Sequence, residues 1–527
     1  MLKGLSKRAA SVAVALAVVC ACGRAGEAGR EGERRETLVF AASADASTLD
    51  PHNTTDTESD QVIMMLYETL IGFDRDMKIV PRLAERWEVA PDGVTWTFHL
   101  RSGVRFHDGT PFDADAVRRN FMRVLDPVAK HKRLPLFNMV DRIEVVDERT
   151  VRIVTSYPFG AFEPTMAHVS AAIVNPAVAE KFGKDFGLGA DRASGTGPYR
   201  IASWKKDQEI VLERNEDYWG EKGRTRRLVY RPIPEAASRV LALEAGDVDV
   251  ITRVPSPDIA RLEGLEGIRV TKTPSVGMQQ FRFNVTKKPY DDVRVRQAIS
   301  YAIDRRAIVE NLVSSFARPS TSALTPIMRG YANLGEIPHD PARARALLVA
   351  AGLPRGFKTR IATTPRYPMG VELAEAVAAD LKKVGIDAAI DVIEWGTMVQ
   401  YWAGLPPEKN PQEIFIMGAG ASTADADWGL RPIFRSAPTN ENNYGYYANA
   451  EFDRVIEAAM RETDGDKRQA LYKRAQEIVY LEDPGAVWLF DTLYVVASRA
   501  NVEGITPSPL GAVTFPEAVV HTPSTSH

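Results

Sequence analysis

Cysteine is almost missing from this chain. The 527 residues hold two, Cys20 and Cys22, both close to the start. The body that follows has no thiol, so it has neither a disulfide nor a cysteine nucleophile. An exported domain built that way depends on a large buried core. Histidine is scarce too: there are eight, with no pair at metal-ligand spacing, and His107 in its FHDGTP turn reads as structural. H-E-x-x-H, G-x-S-x-G and the P-loop glycine pattern are all absent, which excludes the enzyme classes those motifs define. Nor is there an excess of one charge. With 66 basic and 69 acidic residues the net charge is −3, and the basic footprint of a nucleic-acid binder is lacking. A pair of carboxylates suited to glycoside hydrolysis occurs in any chain this long, so a secreted hydrolase stays open as an alternative.

Long apolar runs are equally rare. Ala9–Val19, behind Lys3, Lys7 and Arg8, is shorter than the ~20 residues a membrane span needs. Its flanks are those of a secretory signal peptide. It ends in Val19-Cys20-Ala21-Cys22, which resembles a bacterial lipobox, where a small residue precedes a cysteine that becomes the lipidated N-terminus. Ala21 satisfies that rule and Val19 does not. The expectation is a signal peptide over residues 1–21, lipidation at Cys22 and a tether over 22–36, where GRAGEAGREGERRE is too polar to order itself. That predicts a periplasmic or extracytoplasmic protein, anchored to a bacterial membrane by lipid.

The body reads as mixed α/β. Thr37–Ala42 is a strand, and Gln61–Leu70 has helical spacing. Val94–Leu100 alternates, and Pro91-Asp92-Gly93 turns it back on Arg86–Val89. Asp113 caps a helix running to about Leu125, and Ile143–Val146 with Val151–Thr155 makes a hairpin. Farther on, Asp340-Pro341 opens a helix that stops at Gly352. Leu373, Val377, Leu381 and Val384 share one helical face, ended by Gly385, and Ile386–Val392 alternates as a strand. Two helices near Ala450–Thr463 and Asp466–Leu481 precede a strand over Ala486–Ala497.

Several segments, in order, resemble one family: FAASADASTLDPH at 40–52, YETL at 67–70, LAERW at 83–87, VRFHDGTPF at 104–112, GTGPY at 195–199, NVTKKPYDDVRVRQAISYAID at 284–304 and ADADWGLRPIF at 424–434. Together they resemble the large extracytoplasmic solute-binding proteins of ABC importers, family 5, which take dipeptides, oligopeptides, nickel or glutathione. The last segment is most similar to the glutathione-binding branch. The resemblance implies an α/β, two-lobed periplasmic-binding-protein-like fold of type II, the large peptide-binding class, with an extra subdomain in the first lobe. Lobe I would cover 37–283, with an inserted subdomain near 70–194. Lobe II would cover 284–495, and 496–527 would return to lobe I. It further implies a monomeric receptor, not an enzyme, with no cofactor and no metal. It would capture a short peptide or glutathione-like solute and deliver it to a permease and its ATPase. A nickel or haem receptor of the same fold is the alternative within the family.

The resemblance also points to site residues. The peptide-binding branches hold the ligand ammonium on an aspartate whose position here is Ser422. Asp425 and Asp427 are then the nearest carboxylates, and either would meet the ammonium. Trp428 and Trp395 would wall the pocket. Arg366, in TTPRYP, would grip a carboxylate.

Overall fold

The computed structural model describes residues 36–367, 369–402, 405–436 and 442–521. The leader, Cys20, Cys22 and the tether through residue 35 lie outside them. No helix among the described residues is long and apolar enough to cross a membrane.

One sheet of eleven strands runs through the molecule. Its order is Asp387–Val392, Lys358–Thr363, Ile414–Ala419, Ile268–Phe283, Ala486–Arg499, Val250–Thr252, Thr37–Ala42, Arg227–Pro232, Glu209–Arg214 and Tyr199–Lys205, with Ala317–Pro319 beside Ala486–Arg499. The two longest strands, Ile268–Phe283 and Ala486–Arg499, are the central antiparallel pair, and each belongs to both lobes. At one end Val496–Ser498 pairs with Thr252–Val250. There Val496 joins Leu38, Phe40, Leu228, Tyr230, Val250, Val502, Val513 and Phe515 in the core of lobe I. At the other end Met278–Phe283 pairs with Ile414–Ala419. There Phe281, Phe283, Ile299, Ile361, Val377, Leu381, Ile416 and Val487 fill the core of lobe II.

Between the two ends the pairing is interrupted. Pro274 faces Leu493, and the ladder resumes only at Met278 opposite Asp491. The gap is held by hydroxyls: Ser275 donates to the Thr492 carbonyl at 2.9 Å and Thr492 donates to the Gly277 carbonyl at 3.0 Å. A side chain on Gly277 would come within 2.6 Å of Thr492 Oγ1. The ladder is thus bulged where the two crossover strands pass between the lobes, and both strands share the irregularity.

A smaller antiparallel sheet of four strands forms a subdomain, in the order Ala84–Val89, Thr95–Leu100, Thr150–Thr155, Val140–Asp147. The helix Ala114–Leu125 covers it, with Asp113 accepting from the Ala116 amide as its cap. Val117, Phe121 and Val124, one helical stripe, are buried with Phe98, Ile153 and Phe162, worth about 1.5–3 kcal/mol for each large side chain. His107 links this subdomain to lobe I: its Nε2 lies 3.0 Å from the Gly197 carbonyl oxygen, within the GTGPY loop.

One expectation shifts. The first helix is Thr57–Leu66, not Gln61–Leu70, because Asp56 caps it by accepting from Ser59. Its end comes where Tyr67 turns extended and Glu68 is taken up by Thr196, Tyr218 and Trp219. Trp428, expected only as a pocket wall, sits on the helix Ala426–Phe434, with Pro432 inside it.

Candidate functional site

A cavity of about 560 Å³ opens beside the interrupted ladder. Gly277, Met278, Gln279 and Arg282 come from one crossover strand and Thr492 from the other. Gly418–Gly420 ends a lobe II strand, and Trp428, Pro432 and Ile433 present the helix. Tyr367 and Tyr444 complete the wall. The volume is within the roughly 300–1,000 Å³ of small-molecule sites, and the lining has their usual mix of aromatic and apolar groups with a few polar ones.

Trp428 lines this cavity. It does more than line it, because its ring packs against the subdomain core and against the lobe II core that holds Leu430 and Trp488. Other contacts join the same two bodies. The Gly160 amide donates to the Met460 carbonyl at 2.9 Å, and Arg461 stacks on Tyr157 with its guanidinium carbon 4.9 Å from the ring centre. The lobes therefore touch on the rim of the cleft, and Trp428 couples that contact to the cavity wall.

Asp425 and Asp427 are brought to the start of this helix, and both are already engaged. Asp425, fully buried, accepts from Arg468 Nη1 at 3.0 Å and Nη2 at 2.6 Å, and from the Asp427 amide at 2.9 Å as the helix cap. Asp427 takes Arg431 Nε and Nη2, both at 2.8 Å. Burial works against the charge on Arg431 and Arg468, yet each is raised, because the facing aspartate outweighs it. Neither aspartate lines the cavity. Ser422, half-buried, lies in the turn two residues beyond Gly420, which does.

Arg366 and Trp395 are adjacent in space. The exposed guanidinium of Arg366 stacks on the Trp395 ring at 4.7 Å, and Trp395 packs edge-on against Tyr367 at 5.9 Å and Trp402 at 5.5 Å. Tyr367 belongs to the cavity wall, so this aromatic cluster forms its outer flank.

Arg282 was not among the residues the motifs pointed to. Its side chain is buried between Phe434 and Tyr444, 5.7 and 6.0 Å from their ring centres. It donates to the Asn442 carbonyl at 3.1 Å. With the Gln280 amide oxygen turned toward it, Gln280 accepts at 3.0 and 3.2 Å. Burial lowers the guanidinium to about 10, opposed only by the nearby phenols of Tyr444 and Tyr367.

A second cavity, about 870 Å³, lies between the subdomain and lobe II, lined by Trp87, Gly160, Glu163, Arg329, Arg468 and Tyr472 among others. There Arg468 is held by Asp425, and Glu163 accepts from the Trp87 indole at 2.7 Å. Among the described residues no three His, Cys, Asp or Glu side chains gather as a metal site.

The profile of the bacterial extracellular solute-binding proteins, family 5 Middle, matches residues 78–441. The glutathione-binding protein GsiB of Salmonella paratyphi A is 33% identical over 485 residues, 91% of this chain and 94% of that protein. Among solved structures, the periplasmic binding protein DppA of Helicobacter pylori in complex with the peptide STSA superposes with a TM-score of 0.78. It is 30% identical and spans 92% of this chain and 98% of its own. The binding protein AgaA of A. tumefaciens R10 in complex with agropinic acid gives 0.77 at 28% identity, over 93% of this chain and 100% of its own.

Proposed function

The chain belongs to the bacterial extracellular solute-binding proteins of family 5, and from that premise we propose that it captures a short peptide or glutathione-like solute between its lobes and delivers it to the permease and ATPase of an ABC importer. The observation that carries this reading is the position of the cavity. It is walled by both crossover strands at the interruption they share, and Trp428 ties its wall to the contact between the lobes. Filling such a cavity favours the closed arrangement of the lobes by the ligand's differential affinity for it. In this reading lobe I is about 37–283 with its insertion near 70–194, lobe II is about 284–495 and 496–527 returns to lobe I, with the end of the crossover strand that pairs with Ile414–Ala419 packing in lobe II.

The ligand would lie against Trp428 and Tyr367, with Trp395 and Arg366 at its outer end, where the guanidinium meets a carboxylate. An ammonium would reach Asp427 or Asp425 only by competing with Arg431 or Arg468. Ser422 would offer a hydroxyl, not a charge, where the peptide-binding branches have aspartate. The protein works as a monomer outside the cytoplasm, held to the membrane through lipid on Cys22.

Calorimetric titration of the purified body with glutathione, ordinary dipeptides and tripeptides tests the reading. Saturable binding of at least one peptide class, with a raised melting temperature, is the expected result. Binding of none of them, or turnover of a glycoside or ester, would replace a receptor by something else.

A further inference from the structure

Among the described residues the charges around the cavity do not balance. Among its lining residues Arg282 is the one formal charge; no Asp, Glu or Lys joins it. Elsewhere in this lobe Arg468 has Asp425 and Arg296 has Asp483, while Arg305, equally buried, is held by the Trp488 and Ser300 carbonyls and the Ser300 hydroxyl and does not line this cavity. Arg282 is 3% exposed, and among the described residues no carboxylate lies within ion-pair distance of it. Its partners are neutral: the Asn442 carbonyl, the Gln280 amide and two aromatic faces. The ionisable groups closest in effect are Tyr444 and Tyr367, both shifted upward by burial and so uncharged at neutral pH. A buried cation without a counter-charge is costly, and the cost is removed when an anion reaches it. The planar guanidinium is shaped for a carboxylate.

Resting on the receptor reading above, we infer that Arg282 is the inner seat of a ligand carboxylate, and that this receptor selects organic anions, binding them without an ion pair to an ammonium inside this cavity. The phenols of Tyr367 and Tyr444 stand beside that seat as hydroxyl groups. The Trp428 face covers the ligand's apolar part. The chemical class is a small peptide-like acid, including γ-linked peptides and N-blocked dipeptides, whose carboxylate enters first.

The test compares glutathione, N-acetylalanylalanine and alanylalanine amide by calorimetry on the full mature chain, and on Arg282→Met and Arg282→Lys. Wild type should bind the two carboxylates at least a hundredfold more tightly than the amide. Arg282→Met should lose at least a hundredfold for both acids, and Arg282→Lys should retain part of that affinity. The melting curve of each variant without ligand reports its folding, and the acid-to-amide comparison on wild type needs no variant. Equal binding of acid and amide, or unchanged acid binding in a folded Arg282→Met, overturns the inference and leaves the receptor standing. Wild type binding none of the three, nor any ordinary peptide, overturns the receptor reading and this inference with it.

Discussion

Asp425→Asn isolates one buried charge. Asp425 has no exposed surface, and its partner Arg468 keeps 9% of its side chain exposed. The two are joined by bonds of 2.6 and 3.0 Å. Asparagine is nearly isosteric and caps a helix about as well as aspartate, so the bond from the Asp427 amide survives. What disappears is the counter-charge of Arg468, whose Nε already lacks a partner and whose remaining contacts are the Tyr472 ring at 4.7 Å and hydroxyl at 3.2 Å. Breaking a buried pair from one side costs about 3–5 kcal/mol. The loss should fall on lobe II, because the pair clamps helix Ala426–Phe434 to helix Gly465–Glu477. Urea unfolding followed by tryptophan fluorescence should show the midpoint lowered with its slope unchanged, and Asp425→Asn combined with Arg468→Leu should recover part of the loss, since the stranded charge is then gone. Destabilisation below about 1 kcal/mol would refute the structural role assigned to this pair. A hundredfold loss of glutathione affinity with stability intact would instead give Asp425 to the ligand.

Three further changes have defined outcomes. Burial raises Asp491 to about 7, with the Ser320 hydroxyl pulling the other way, and raises Asp60 to about 7 against the pull of Arg133. Folded protein therefore holds protons that the unfolded chain, with aspartate near 3.8, has released, so their effect lowers stability as pH rises from about 4 to 7 and then levels off. Asp491→Asn should flatten that decline and raise stability at pH 8 by up to about 4 kcal/mol, read from melting temperature against pH; an unchanged profile would contradict it. Gly160→Ala puts a methyl group against the Glu462 carbonyl oxygen and the Arg468 side chain, so the lobes should separate at the rim, with a larger radius of gyration by solution scattering and weaker binding; a wild-type radius would contradict it. Trp428→Ala removes a side chain shared by two cores and the cavity wall and should cost about 3–5 kcal/mol together with ligand affinity, both measured on one preparation.

What the sequence made legible follows from how local each signal is. Asp113, Asp340-Pro341 and Pro91-Asp92-Gly93 act on their immediate neighbours, and the helices at Ala114 and Pro341 and the hairpin of Ala84–Val89 with Thr95–Leu100 begin or turn where those residues put them. The start of helix Thr57–Leu66 was equally local, at Asp56 and Ser59, but lies upstream of the Gln61–Leu70 spacing taken as the helix. Strand Ile268–Phe283 carried no comparable signal. Its IRVTKTPSVGMQQFRF does not alternate cleanly, and Pro274 and Gly277 read as breakers. They are tolerated because the ladder is interrupted there and Thr492 fills the gap.

The site divides along the same line. Trp428 belongs to a motif visible in sequence and lines the cavity, and the salt bridge from Asp427 to Arg431 spans one helical turn, a spacing visible in sequence. Arg468 could not be read as the partner of Asp425, since only the packing of two helices joins them. Arg282 sits between two core phenylalanines, and nothing nearby in the chain marks its surroundings. Those exist only once Gln280, Phe434, Asn442 and Tyr444 have closed around it, neutral partners all among the described residues. Reading along the chain therefore drew attention to the carboxylates at 425 and 427, which the fold neutralises from within. The charge it leaves uncompensated at the cavity is the buried guanidinium, so the electrostatics of the folded site favour an incoming anion over an incoming ammonium.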